Sequence, residues 1–175
     1  MKKALVVVDF QKDFVDGSLG FSKAAELERA IAQKIELYKA NNDTVIFTYD
    51  THDENYLELR EGRYLPVPHC IKGTEGWELY GSVADMKDES TPCFEKPTFG
   101  SVELMNYLVD NQFEHIEFVG VVSNICVISN AVLAKAALPE ANIVVDAACT
   151  ASNDDSLNEK ALDVMQGMHI DVINR

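Results

Sequence analysis

The sequence predicts an α/β fold, in which a mostly parallel sheet of about six strands lies between helices on both faces. Two observations predict it. Short apolar runs alternate with segments of helical periodicity along all 175 residues. Several of these runs are apolar on both faces, which is typical of the buried strands of parallel sheets. The chain has no internal repeat, low-complexity stretch or flexible linker, so we expect residues 1–175 to form a single three-layer domain.

The first half of the chain contains two predicted strands and a helix between them. Ala4–Phe10 is an apolar run interrupted only by Asp9, and Thr44–Asp50 is the second strand. We expect Ser22 to cap the helix, because apolar residues follow it at helical spacing. Those residues are Leu27, Ile31, Ile35 and Tyr38. The next connection, at about 51–91, is far longer than an ordinary loop of such folds, so we expect it to be functional or to contain short helices of its own.

The second half of the chain continues the alternation of strands and helices. The predicted strands are Phe94–Thr98, Ile116–Val122, Ile143–Ala147 and Ile170–Ile173. The predicted helices are Val102–Leu108, Ile125–Leu138 and Leu157–Met168, and Pro139 ends the second of them. Such alternation implies right-handed crossovers between parallel strands.

Charge and cysteine usage exclude several classes of protein. The chain has 29 acidic and 15 basic residues, a net charge of −14 and no Lys/Arg cluster, so we expect neither nucleic acid nor a membrane as a partner. No apolar run approaches the roughly 20 residues of a membrane span. The four cysteines are far apart in the sequence, which favours a reduced, cytoplasmic protein. Nucleotide-binding glycine loops and the Gly-x-Ser-x-Gly elbow of α/β-hydrolases are absent.

Cys126 is the most informative candidate for chemistry. Ligands of open parallel sheets bind beyond the carboxyl ends of the strands, and Cys126 follows one strand directly, at the start of a helix. The free N–H groups there would lower the pKa of the thiol and could hold an oxyanion. Two alternatives stay open at this point: Cys126 is a buried core residue, or Cys149, near the end of another strand, is the nucleophile.

Asp9 and Lys96 lie at the ends of two further predicted strands. Partial burial would raise the pKa of Asp9 and suit it to proton transfer. Alternatively, this carboxylate caps a helix or pairs with a lysine. Lys96 alone is uninformative, since most lysines are solvated, but beside the other two residues it could stabilise a thiolate.

A second set of polar residues has the composition of a metal site. In an extended segment, Asp50 and His52 point the same way, and Glu61 and His69 follow in the long connection. Two imidazoles with one or two carboxylates suit zinc, iron or manganese and leave coordination positions open. The alternative is a pair of surface histidines in a charged loop.

These residues together resemble the isochorismatase-like cysteine hydrolase superfamily, and within it the metal-containing nicotinamidase/pyrazinamidase branch. The resemblance extends over nearly the whole chain. It is carried by the motifs Val-Val-Asp9-Phe-Gln, Asp13-Phe14, Asp50-Thr-His52, Pro68-His69, Glu95-Lys96 and Gly120-Val-Val-Ser-Asn-Ile-Cys126-Val. Many relatives have Thr-Asp or Ala-Asp where this chain has Ser123-Asn124.

The resemblance implies a Rossmann-like fold, a catalytic site and a metal site. The catalytic triad would be Asp9, Lys96 and Cys126. The ligands of one divalent metal ion, zinc first and manganese or iron as alternatives, would be Asp50, His52 and His69, with Glu61 as a fourth. A cis peptide at Val122–Ser123 would belong to an oxyanion loop that includes Ile125. Phe14, Phe99 and Trp77 would line the amide pocket.

The function implied by the resemblance is hydrolysis of nicotinamide to nicotinate and ammonia through a cysteine thioester, a step of NAD salvage. The partner would be a small amide, and a homo-oligomer is common in the family. One alternative is another amidase of the superfamily that acts on a ureido or carbamoyl compound. A different class is a non-enzymatic α/β binding domain.

Overall fold

A computed structural model describes residues 1–175 and contains one six-stranded sheet in which every pairing is parallel. The strand order is β3-β2-β1-β4-β5-β6. The strands are β1 (Lys3–Val8), β2 (Thr44–Asp50), β3 (Cys93–Lys96), β4 (His115–Val121), β5 (Asn142–Ala151) and β6 (Asp171–Ile173). The predicted α/β class is therefore confirmed.

Helices cover both faces of the sheet and enclose two apolar cores. They are α1 (Lys12–Val15), α2 (Ser22–Glu26), α3 (Glu28–Ala40), α4 (Arg60–Tyr64), α5 (Gly81–Asp85), α6 (Val102–Asp110), α7 (Ile128–Ala137) and α8 (Asp155–Gly167). Along β1, Leu5 and Val7 pack into one core, while Ala4, Val6 and Val8 pack into the other. This two-sided burial is why the strand is apolar throughout. No helix is both long and apolar enough to cross a bilayer.

Several predicted elements have other bounds in the structure; β3, for example, is Cys93–Lys96 rather than Phe94–Thr98. β1 ends at Val8 rather than Phe10, because Asp9 adopts a positive φ of 46° and leaves the sheet. The helix predicted from Ser22 is divided at Leu27 into α2 and α3, and no side chain caps its start. The helix predicted from Ile125 is α-helical only from Ile128, because a π-helical turn precedes it.

β5 is longer than the sequence predicts. Its pairing with β4 shifts register between Phe118 and Gly120 and then continues to Val121↔Ala151. A bulge thus interrupts the strand without ending it. Cys149, predicted beyond the end of this strand, lies inside it and is buried in the core under α3.

The connection between β2 and β3 is folded rather than loose. It contains α4, α5 and two 3₁₀ turns, Tyr56–Glu58 and Glu75–Trp77. Two isolated β-bridges, Gln11↔Leu79 and His52↔Ile71, attach it to the rest of the chain. These contacts place it over the carboxyl ends of β1 and β2.

Gly120 allows β4 to lie against the end of β1. It has a φ of 105°, and a Cβ atom there would overlap the backbone of Val8. We expect Gly120→Ala to lower the free energy of unfolding by roughly 2–5 kcal/mol, since strain and overpacking add. Urea denaturation measures the change. The control is Gly167→Ala in α8, where nothing lies near the added Cβ, and it should stay within about 1 kcal/mol of the wild type. Equal stability of both variants would contradict the close approach.

Candidate active site

The carboxyl ends of four neighbouring strands bring the candidate catalytic side chains together. Asp9 directly follows β1, while Asp50 and Lys96 are the last residues of β2 and β3. Cys126 lies in the turn that follows β4. Parallel strands point their carboxyl ends to the same edge, so residues distant in sequence meet there.

Lys96 is the centre of the first group of side chains. Its Nζ lies 2.5 Å from Asp9 Oδ2, 3.7 Å from Cys126 Sγ and 3.6 Å from Asp50 Oδ1. Asp9, Lys96 and Cys126 are 0%, 1% and 3% exposed. The Thr48 hydroxyl donates a hydrogen bond of 2.6 Å to Asp9 Oδ1 and so fixes the carboxylate from the other side. A cation, an anion and a thiol are thereby in contact at a site that is almost inaccessible to solvent.

Burial dominates the electrostatics of this group. It raises the pKa of the Asp9 carboxyl, although the charge of Lys96 opposes the shift. Burial alone would lower the pKa of Lys96, but the charges of Asp9, Cys126 and Asp50 raise it above its usual range. Lys96 is therefore charged at neutral pH, and Asp9 is a stronger base than an exposed aspartate.

The expectation that the helix start lowers the pKa of Cys126 is wrong for this structure. Burial raises the pKa of the thiol well above its usual value; Lys96 lowers it, whereas Asp9 and Asp50 raise it further. Desolvation disfavours the thiolate more than local positive charge favours it. The thiol therefore needs a base beside it, and the Asp9 carboxylate is the candidate, because Asp9 and Cys126 both contact Lys96 Nζ.

The turn that carries Cys126 is tight and well anchored. Val122 O accepts hydrogen bonds from the backbone N–H groups of Ile125 and Val127 across the π-helical turn Ser123–Val127. The cis peptide bond joins Val121 to Val122, one bond earlier than the motif placed it, because β4 ends at Val121 and the chain turns there. Ser123 is fully buried, and its hydroxyl has no hydrogen-bond partner.

A second group of side chains has the geometry of a metal centre. One donor atom from each of Asp50, His52, Glu61 and His69 lies within 4.8 Å of the others. The Nε2 atoms of His52 and His69 are 3.1 and 3.2 Å from Asp50 Oδ2, and both are 3.7 Å from Glu61 Oε1. The carbonyl oxygen of Val67 lies 2.8 Å from His69 Nδ1. With the ring proton on Nδ1, Nε2 of His69 faces the cluster as a lone-pair donor.

The charges of the cluster fit a divalent cation. Burial and the nearby Asp50 raise the pKa of Glu61. Burial alone would raise the pKa of Asp50, but in the metal-free protein hydrogen bonds from His52 and His69 lower it. Asp50 Oδ1 is buried without a hydrogen-bond partner. Two imidazoles and two carboxylates are a donor set that zinc accepts, and a bound cation would offset the repulsion between the carboxylates.

Both groups open into one cavity of about 190 Å³. Cys126 contributes to its wall from one side, and Asp50, Glu61 and His69 contribute from the other. The remaining wall consists of Phe14, Leu19, Phe21, Leu65, Phe99, Val122, Ile125 and Asn153. A small planar ligand could therefore touch the nucleophile and the metal ligands at once. An outer cavity of about 460 Å³ shares Glu61 and Phe99 with it.

The cavity wall agrees only in part with the sequence prediction. Phe14 and Phe99 line it, but Trp77 does not. The Trp77 indole stacks on Tyr49, with ring centroids 4.9 Å apart, and donates to Thr51 Oγ1 at 2.9 Å, so it supports the end of β2. Four lining residues were not predicted, and no local pattern distinguishes them: Leu19, Phe21, Leu65 and Asn153.

Comparisons with known proteins identify relatives over nearly the whole chain. The family model of the isochorismatase domain matches residues 3–175. The uncharacterized isochorismatase family protein PncA of Bacillus subtilis is 36% identical over 143 residues, which cover 75% of this chain and 78% of that protein. The nicotinamidase/pyrazinamidase of Mycobacterium tuberculosis is 27% identical over 139 residues, with 71% and 74% coverage. The crystal structure of a pyrazinamidase/nicotinamidase from Streptococcus mutans has a TM-score of 0.89 at 30% identity and covers 98% of this chain and 100% of that one.

The charge of Lys96 can be tested through the reactivity of Cys126. Lys96→Met keeps the length of the side chain but removes the cation that lowers the pKa of the thiol. We expect alkylation of Cys126 by iodoacetamide at neutral pH to slow by about tenfold or more, because a smaller fraction of the thiol is then ionised. Peptide mass spectrometry follows the rate, and exposed Cys93 in the same chain is the internal reference. An unchanged ratio of the two rates would contradict this electrostatic role.

Proposed function

The chain belongs to the isochorismatase domain family and is a hydrolase that acts on a carboxamide, and we propose that its substrate is nicotinamide. The products would be nicotinate and ammonia. One observation carries the proposal: Cys126 and three of the four clustered metal-type donors line the same small cavity. A ring that offers a nitrogen to a metal and a carboxamide to a thiol needs this combination.

In the first step, Asp9 accepts the proton of the Cys126 thiol while Sγ attacks the carboxamide carbon. Backbone N–H groups of the 123–126 turn would stabilise the oxyanion of the tetrahedral intermediate. Lys96, in contact with both Asp9 and Cys126, keeps a positive charge beside the forming thiolate. The raised pKa of Asp9 favours this transfer, since an exposed aspartate would be a weaker base.

In the second step, the intermediate expels ammonia, which takes the proton held by Asp9, and a thioester forms on Cys126. Asp9 is then ionised again and removes a proton from a water molecule that attacks the thioester. The resulting intermediate expels the Cys126 sulfur, which takes the proton held by Asp9, so the thiol and the ionised Asp9 are restored. The acid formed gives its proton to solvent and leaves as nicotinate. Asp9 thus acts alternately as base and acid, which suits a carboxyl group with a raised pKa.

The metal would be held by Asp50, His52, Glu61 and His69. When bound, it supplies a coordination position for the ring nitrogen and so orients the carboxamide toward Cys126. The apolar wall of the cavity, including Phe14 and Phe99, would exclude water around the ring. Pyrazinamide carries the same ring nitrogen and carboxamide, so we expect it to be a second substrate.

The first test is ammonia release from nicotinamide by the purified protein, before and after treatment with a chelator. We expect release to stop when the metal is removed and to return with zinc, manganese or iron. If metal-loaded protein with a reactive Cys126 releases no ammonia, nicotinamide is the wrong substrate. A panel of ureido and carbamoyl compounds would then test the alternative amidases.

The thioester mechanism predicts that Cys126→Ala loses turnover but keeps its metal. We expect ammonia release to fall by at least roughly a thousandfold, because no other group replaces the nucleophile. Metal content by mass spectrometry should stay at the wild-type value. The matched control is Cys149→Ala, which removes another buried thiol outside the cavity and should keep its activity. Full activity of Cys126→Ala would refute the mechanism.

The metal assignment predicts that His52→Ala binds the metal ion more weakly than the wild-type protein does. Removing one of four ligands should lower zinc affinity by at least about tenfold, the effect typical even of outer-shell changes. Competition with a fluorescent chelator measures it. His115→Ala, which removes a histidine at the start of β4 outside the cluster, is the control and should bind zinc as the wild type does. Loss of affinity in both variants would argue against this site.

A further inference from the structure

β1 stops short of β2 at the edge of the active site. Their pairing ends at Val7↔Phe47, and the chain leaves the sheet at Asp9, whereas β2 continues to Asp50. On its other side Asp50 pairs with Lys96 of β3, where Thr51 N–H donates to Lys96 O at 2.9 Å. The N–H and C=O groups of Asp50 that face β1 therefore have no strand partner.

The side chain of Gln11 occupies this position. Asp50 N–H donates to Gln11 Oε1 at 2.8 Å, and Gln11 Nε2 donates to Asp50 O at 2.9 Å. A carboxamide thus presents the same donor and acceptor pair as the peptide groups of a neighbouring strand. The second N–H of Gln11 donates to Trp77 O at 2.9 Å, and the residue is completely buried.

Asp50 needs this support because its carboxylate contacts both halves of the site. Oδ2 lies 3.1 and 3.2 Å from the two histidine Nε2 atoms, while Oδ1 lies 3.6 Å from Lys96 Nζ. A small rotation of the Asp50 backbone would move the carboxylate out of the donor cluster. Outer-shell hydrogen bonds of this kind set the affinity and geometry of metal sites.

We propose that Gln11 is a positioning residue, whose carboxamide replaces the missing strand partner of Asp50 and holds that ligand toward the metal. The inference rests on the metal part of the proposed function. It assigns to Gln11 an effect on metal binding that is separate from the chemistry at Cys126.

Asn130 provides a matched comparison in the other half of the site. It is also fully buried and also makes three hydrogen bonds to backbone groups. Ser101 N–H donates to its Oδ1 at 3.0 Å, and its Nδ2 donates to Phe99 O at 3.0 Å and to Cys126 O at 2.8 Å. Its substitution removes as many hydrogen bonds as that of Gln11, but from the turn around Cys126 rather than from a metal ligand.

The experiment compares Gln11→Met with Asn130→Leu, two changes that keep approximate shape and remove all three hydrogen bonds. Zinc affinity is measured by chelator competition, and ligand geometry by the visible spectrum of the cobalt-substituted protein. We expect Gln11→Met to bind zinc about 10–100-fold more weakly and to shift the cobalt bands. Asn130→Leu should keep both values, while its Cys126 alkylation rate changes. If Gln11→Met does not fold, Gln11→Asn, whose carboxamide is too short to reach Asp50, is measured instead.

The possible outcomes separate this inference from the proposed function. Wild-type affinity and an unchanged cobalt spectrum in both Gln11 variants would overturn the role of Gln11 and leave the metal site standing. Equal loss of affinity in Asn130→Leu would also overturn it, because the effect would then be general destabilisation. If the wild-type protein binds no metal, the metal part of the proposed function fails together with this inference. Ammonia release from nicotinamide tests the substrate independently of both.

Discussion

The buried ammonium group of Lys96 is the charge on which the active site depends. Asp9 and Asp50 place two carboxyl groups in the same dry region, and each lies within 4 Å of Lys96 Nζ. Transfer of an isolated carboxylate out of water costs many kcal/mol unless a partner compensates it. Lys96 is 1% exposed and is held at the end of β3, an edge strand of only four residues. The short third strand therefore has an electrostatic purpose as well as a structural one.

The same cation connects the two chemical halves of the site. Through Asp9 and Cys126 it belongs to the nucleophile, and through Asp50 it borders the cluster of metal-type donors. Each half of the site also has its own buried carboxamide, which makes hydrogen bonds to backbone groups. Gln11 completes the hydrogen bonding of Asp50, and Asn130 completes that of the turn around Cys126. Two buried carboxamides thus provide hydrogen bonds where the strands have ended.

Sequence patterns predicted the fold well, because apolar runs identify buried parallel strands and the polar residues at their ends must then converge. The same logic predicts that Asp9, Asp50, Lys96 and Cys126 lie at one edge of the sheet. Sequence patterns did not predict the features that depend on contacts between distant parts of the chain. The sign of the pKa shift of Cys126 depends on depth of burial, which a local pattern does not contain. Leu19, Phe21, Leu65 and Asn153 come from separate connections, so only the folded chain brings them to one cavity. The bulge that extends β5 likewise depends on its pairing with β4.

Because β1 lies between β2 and β4 in the sheet, the parts of the site are synthesised at different times during translation. β1 pairs with β2, which follows about 40 residues later, and with β4, where Ala4 meets Ile116. Asp9, Gln11 and all four metal-type donors lie within the first 69 residues, whereas Cys126 is made much later. On the ribosome, every donor of the metal cluster has been synthesised well before the nucleophile exists. Until β4 has been made, the edge of β1 that later pairs with it has no partner strand.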